Sequence, residues 1–290
     1  KDIEYISRKA NSNKFSPYDF YVLYKTIVEC KKMFGKLKND MTIAEYFKDK
    51  KHLLCIESDI TNTLLGLRKY VKFDIINEYS DADIYSHNFF IEKEMTKKVF
   101  DLAKSRLKMH EKLNKELQIL SKYIDVQMIK ENKKVDKHDN IKVYKTEKTP
   151  AFLKMTATKS KYLKNYLKES KLITDANYSV SNKGKSGYIV ESEMLTRLHA
   201  QIFNCENKFS KLVKETFKEV IEEFKKISGV LHNISEYVSI IDNLLTKAII
   251  SKNYNYCKPE IYNKDDDDQT KSFIDVKGLR HPLVEHLLED

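Results

Sequence analysis

Six lysines carry the first chemical suggestion in this sequence. Lys161, Lys164 and Lys168 lie on one short amphipathic stretch, SKYLKNYLKES, with Lys159 at its leading edge on the same predicted helix, and Lys183 and Lys185 flank a glycine in a turn-forming segment nearby. Ammonium groups so clustered suit a polyanion. Each neutralised phosphate releases condensed counterions, and contacts of this kind position a nucleic acid without reading base edges. The excess is local: residues 124–190 hold 15 Lys against 7 Asp plus Glu, a net of +8 out of +10 for the 290 residues. The plainer reading is a solvated lysine surface in a chain rich in Lys, Asn and Ile throughout.

Other chemistry is poorly served. The segment Asn182-Lys183-Gly184-Lys185-Ser186-Gly187 looks superficially like a phosphate loop. It lacks the first loop glycine and the five-residue spacing, and it falls between predicted strands rather than ahead of a helix. Asp81, Asp83 and His87 have a ligand-like spacing, but one short acidic loop supplies too few converging groups for a metal. His110 and His199 fall on predicted long helices and read as polar rim positions. Cys30, Cys55, Cys205 and Cys257 stand far apart with no CxxC pair, which argues against a zinc site or disulfide framework and fits a reducing, intracellular setting. No Ser-His-Asp or Cys-His arrangement is defensible from spacing, so no catalytic residue, metal ligand or cofactor site is expected. No apolar run approaches the roughly 20 residues that span a bilayer. With no initiator Met and no signal segment, the chain reads as a soluble piece of something longer.

The elements that must position the lysines follow from periodicity. Between 92 and 123, Met95, Val99, Leu102, Met109, Leu113, Leu117 and Leu120 keep helical steps with no Pro or Gly among them. From 191 to 228, Leu198, Ile202, Cys205, Phe209 and Leu212, then Val213, Phe217, Val220, Phe224 and Ile227, repeat the pattern. At 1.5 Å per residue these helices would be roughly 48 and 57 Å long, and one apolar seam on each predicts an antiparallel coiled-coil arm. Between them VQMIKE (126–131), AFLKMTATK (151–159), ANYSVSNK (176–183) and GYIVES (187–192) read as short strands around one short helix. The fold class expected is mainly α with a small β insertion: a helical core, a long antiparallel two-helix lever arm, and a small, basic, mostly β module at its tip. Ser16, Pro17 and Asp19 predict a helix start, 57–71 a helix or half-helix, 74–88 a loop, and Leu231, Ile234, Val238, Ile241, Leu245 and Ala248 a third helical seam. NYCKPEIYN and SFIDVKGLRHPLVEHLL, around the acidic Asp265 to Asp268 loop, read as two strands opening a new domain.

This order of parts resembles the MutS family of mismatch-repair ATPases. IEYISRKANSNKFSPYDFYVLYKTI is similar to that family's core-domain helix pair, in which an Arg-containing helix runs into a Pro-x-Asp-hydrophobic start. FLKMTATKSKYLKNYLK is similar to the clamp strand and the Thr-x-Lys-rich helix after it. YCKPEI followed by IDVKGLRHPLVE looks like the pair of strands at the ATPase entry, with its Arg-His-Pro signature at Arg280, His281 and Pro282. The resemblance implies core and ascending lever helix over 1–123, clamp over 124–190, descending lever and return helix over 191–252, and the first strands of a truncated ATPase domain over 253–290. It implies a non-catalytic module that grips double-stranded DNA without sequence specificity, with lever helices carrying ATP-state changes to the clamp. ATP and Mg would belong to the full-length parent and none to this chain. A second protomer would be joined through the absent ATPase domain, leaving this piece a monomer. A coiled-coil structural or tether protein with a protein-binding β tip is the alternative.

Overall fold

The computed structural model describes residues 2–12, 14–49, 55–133, 140–144, 150–169, 178–182, 187–226, 229–261, 274–281, 284 and 287. They divide into two units, 1–239 and 240–290. The first begins with two helices joined at a reciprocal cap. In α2 (Pro17–Leu37) the Ser16 hydroxyl accepts the Asp19 N–H at 3.1 Å, and the Asp19 carboxylate accepts the Ser16 N–H at 3.0 Å. This satisfies two of the donors that a helix start leaves without partners. The same carboxylate takes the Lys9 ammonium from α1 (Ile3–Asn11) at 2.6 Å, so one side chain both starts α2 and ties it to α1. The hydrogen bond to Asp19 raises the Lys9 pKa despite partial burial.

Behind this corner lies an aromatic core. Phe20 meets Phe224 edge-on at 5.2 Å and Phe217 at 6.2 Å, and Phe217 meets Phe89 at 5.7 Å. Such T-shaped pairs add to the area that the rings bury. Helices α3 (Met41–Phe47), α4 (Ile56–Arg68) and α5 (Phe73–Glu78) complete the body. The segment 74–88, expected as a loop, instead carries most of α5 and a 3-10 turn at Ile84–Ser86. Its composition is polar, but Phe73 stacks on Tyr24 at 4.2 Å and Ile76 and Ile84 are each 1% exposed. Tertiary burial thus overrides weak local propensity.

Two long helices leave the body. They are α6 (Lys97–Lys130) and α8 (Glu193–Lys225), of 34 and 33 residues. At 1.5 Å per residue each is about 50 Å long. Arg106 lies 4.4 Å over Phe209 and His110 Nε2 sits 3.4 Å from Glu206, so the partner number falls as the α6 number rises and the pair is antiparallel. Helix α6 starts five residues later than expected, behind a turn held by buried Thr96, whose hydroxyl donates to the Ile91 carbonyl at 2.7 Å. It also runs through VQMIKE, which was expected as a strand. Ile124, Gln127 and Met128 are buried at helical spacing, and a glutamine in the seam disguised its continuation.

The tip is a four-stranded antiparallel sheet of β1 (Lys142–Tyr144), β2 (Phe152–Met155), β3 (Ser179–Asn182) and β4 (Tyr188–Glu191) in the order β1-β2-β4-β3, with α7 (Ala157–Glu169) between β2 and β3 in sequence. Leu153, Met155 and Val190 on one sheet face join Ile124, Met128, Leu163, Leu195 and Leu198 in a single apolar cluster. The stalk helices and the tip therefore share a core. The predicted strands at 151–159, 176–183 and 187–192 are present, the first only as far as Met155, where α7 follows from Ala157; β1, three exposed residues long, carried too little pattern to be found.

Helix α9 (Gly229–Tyr254) buries Leu231, Ile234 and Tyr237. In the second unit it ends in a left-handed turn at Asn255 (φ 53°), with the Tyr256 N–H donating to the Ser251 carbonyl at 3.0 Å. That is a Schellman-type stop. The expected strands beyond it do not form over 256–261 or 274–281, where Ile261, Ile274 and Leu279 are more than 80% exposed. An isolated strand pair with no covering layer is marginal at best. Asp265 to Asp268 lies outside the described residues.

Candidate nucleic-acid interface

Helix α7 begins where the Thr156 hydroxyl accepts the Lys159 N–H at 3.4 Å and the Thr156 carbonyl accepts from Ser160. Ser160 and Leu163 are buried and Leu167 packs against the shared cluster, a 3–4 spacing that fixes the inward face. Lys161, Lys164 and Lys168, at steps of three and four, form one stripe on another face of the helix. Lys161 and Lys168 are exposed, and Lys164 is half-buried with its ammonium 5.5 Å over the Tyr188 ring of β4. Lys159 does not join them. Two positions before Lys161, it points roughly 200° around the helix and is half-buried. Lys183, Lys185 and Pro282 lie outside the described residues.

The single carboxylate of α7 is turned away from the stripe. Glu169 takes the Lys130 ammonium at 3.0 Å and the Gln127 amide at 3.2 Å, both from α6. The hydrogen bond from Lys130 above all, then that from Gln127, holds its carboxyl below the usual range. Among the described residues, none of Lys161, Lys164 and Lys168 is neutralised by an acid. Their positive field is left to solvent or to an outside anion. Lys168, in the last turn, is also favoured by the helix dipole.

Polar staples hold the tip on the stalk, and local sequence pattern did not disclose them because their partners lie far apart in the chain. Buried Asn140 donates through Nδ2 to Asp125 at 2.6 Å and to the Ser121 hydroxyl at 3.0 Å. The Tyr178 hydroxyl donates to Glu116 at 2.8 Å; burial and then that carboxylate push its pKa up. Lys133 donates to the Tyr162 hydroxyl and also lies 5.0 Å from that ring. Tyr123 stacks on Tyr166 at 4.5 Å, which joins α6 to α7.

The remaining candidates separate. His110 is a part-exposed partner of Glu206. His199, expected on a polar rim, is 5% exposed, with Nε2 buried and unpartnered, and desolvation depresses its pKa. It is a core residue of the α8 seam, where burial favours the uncharged imidazole. His87 stacks on Tyr79 at 3.6 Å while Asp83 accepts from Ser80, and among the described residues no three His, Cys, Asp or Glu side chains gather for a metal. Asn182 ends β3 and Gly187 precedes the antiparallel β4. β3 and β4 pair as antiparallel neighbours, and residues 183–186 between them lie outside the described residues. In the second unit Arg280 donates to the Tyr254 carbonyl and lies 5.1 Å over the Tyr256 ring, while His281 is exposed. No helix among the described residues is long and apolar enough to cross a membrane.

Comparison with known proteins gives no matching family model. Among curated proteins, the DNA mismatch repair protein MutS of Thermotoga maritima is 24% identical over 290 residues, covering all of this chain and 30% of that protein. MutS of Borreliella afzelii is 24% identical over 222 residues, or 76% of this chain and 23% of the relative. A DNA mismatch repair protein mutS homolog of Acanthamoeba polyphaga mimivirus is 36% identical over 84 residues, 29% of this chain and 7% of that protein. The chain thus spans less than a third of the length of these relatives. Over its whole length the chain is thus similar to the MutS DNA mismatch repair proteins.

Proposed function

We propose that the tip carried by α6 and α8 grips the backbone of double-stranded DNA within a MutS-like mismatch repair protein. The observation that supports this best is the lysine stripe of Lys161, Lys164 and Lys168, unneutralised among the described residues and carried on a module bonded to two helices of about 50 Å. Contacts from such a stripe reach phosphates and not base edges, so binding is independent of sequence. Residues 124–190 act as clamp, 1–123 and 191–252 as core and lever, and 253–290 as the entry to a nucleotide-binding domain marked by Arg280, His281 and Pro282. The chain itself carries no catalytic step. ATP and Mg are bound by the longer parent, whose second protomer pairs through its ATPase domain, and α6 and α8 transmit the nucleotide state as rigid-body movement. Titrating the chain into a labelled, mixed-sequence duplex by fluorescence anisotropy tests the first step. Binding that falls steeply between about 50 and 200 mM salt is expected. Affinity that is insensitive to salt, or that depends on base sequence, would overturn it.

A further inference from the structure

The sheet has a second face that the lysine stripe does not use. Leu153 and Met155 point into the shared apolar cluster, so strand alternation sends Phe152 and Lys154 to the opposite side. The ladder then fixes their neighbours: Tyr144 opposite Phe152, and Lys142 and Ile189 on either side of Lys154. Tyr144 is 50% exposed, and its ring centroid lies 5.1 Å from that of Phe152. Lys154 places its ammonium 5.6 Å from the Tyr144 centroid, and Lys142 is exposed beside it. Ile189, 5% exposed, fills the floor between Lys154 and Ser181, its two ladder partners. At Gly187 (φ +78°) an added Cβ would come within 3.2 Å of the Lys154 side chain, so the absence of one keeps the surface low where that stem crosses it. Among the described residues of the sheet one carboxylate stands on this face, that of Glu191, and the Ser181 hydroxyl donates to it at 3.3 Å.

We propose that this outer sheet face, with Tyr144 and Phe152 as its aromatic platform and Lys142 and Lys154 beside them, binds single-stranded DNA by stacking on unpaired bases. A paired duplex turns its base faces inward and offers these rings nothing to stack on, whereas an unpaired strand offers both base planes and phosphates. Adjacent aromatic rings flanked by cations are the arrangement by which sheets hold single strands irrespective of sequence. The Lys154 ammonium beside the Tyr144 ring is on a flexible stem, so an arriving base displaces it toward its own phosphate. The site is separate from the α7 stripe and does not depend on the duplex reading.

The chain contains no tryptophan. Tyr144→Trp therefore installs a single indole reporter, and its emission is expected to be quenched on titration with an oligothymidylate of about 15 residues. Tyr144→Ala is expected to weaken oligothymidylate binding about five-fold or more while changing duplex affinity less than about two-fold. Near-UV circular dichroism checks that the variant is folded. If the duplex fails to bind while the oligothymidylate quenches the indole, the duplex reading falls and this one stands. Absence of quenching, or equal losses on both DNAs, overturns the proposal. Oligothymidylate affinity unaffected by Tyr144→Ala leaves the face to a protein partner and overturns it too. Tighter binding of an oligouridylate of equal length reassigns the face to RNA and overturns the DNA assignment.

Discussion

Neutralising the α7 stripe should change how the chain's duplex affinity depends on salt, by an amount that the number of lysines sets. In the variant Lys161→Gln, Lys164→Gln, Lys168→Gln, up to three phosphate contacts are lost. Each contact contributes about −0.9 to the slope of log K against log salt, so the slope should become shallower by about 2.7. Between about 50 and 200 mM salt, three such contacts account for about a 40-fold loss of affinity, and the variant should forgo that portion of the loss. Anisotropy titrations of a short duplex at five or so salt concentrations read the slope directly. Lys161 and Lys168 are exposed, and Lys164 contributes one cation–π contact to Tyr188, worth about 0.5–1 kcal/mol at a partly exposed site, so the fold should survive. Thermal melts check this. Lys159→Gln is the internal control, because Lys159 points away from the stripe, and its slope should stay close to that of the parent. A triple variant with the parental slope, or a Lys159→Gln variant that loses as much as the triple, would refute the assignment of the stripe.

Asp19→Ala should destabilise the chain by about 2 kcal/mol in urea unfolding, because it removes the carboxylate half of the capping box and strands the partly buried Lys9 ammonium. Lys9→Met should cost less. Leu120→Ala, at a fully buried position of α6, should cost about 2–5 kcal/mol, and Val126→Ala, 42% exposed, less than about 0.5 kcal/mol. Burial depresses the His199 pKa, so its contribution to stability is complete above its ordinary value of 6.5 and is lost as the pH falls below it. The midpoint of thermal unfolding should therefore fall between pH 7.5 and pH 5 more in the parent than in His199→Leu. His87, whose pKa burial and Arg106 also depress, is expected to leave some acid sensitivity in that variant.

The long helices were legible because their seams repeat over many turns. Val99, Leu113, Leu120, Phe209, Val213 and Phe217 are all buried as their spacing requires. Where pattern and packing diverged, a particular residue explains it. Gln127 interrupted the apolar seam of α6, so VQMIKE read as alternating, yet the glutamine is buried with its amide given to Glu169. Phe73 makes a six-residue helix hold by stacking on Tyr24, a partner far outside any local window. At the interface, composition located the basic module and helical spacing grouped Lys161, Lys164 and Lys168. The same spacing already separated Lys159, a distinction that counting charge alone obscured. The staples at Asn140 and Tyr178 had no local signature, since single polar residues acquire partners only once the stalk is built.

The antiparallel run of α6 and α8 has a mechanical consequence. Both ends of the tip are fastened to rods that meet again at the aromatic body, where Phe217 and Phe224 root α8. A sideways load at the far end is then carried as tension along one rod and compression along the other, as in a truss. Neither can flex alone without shearing the interlocked side chains between them, so a small displacement at the far end is carried toward the root by the pair together.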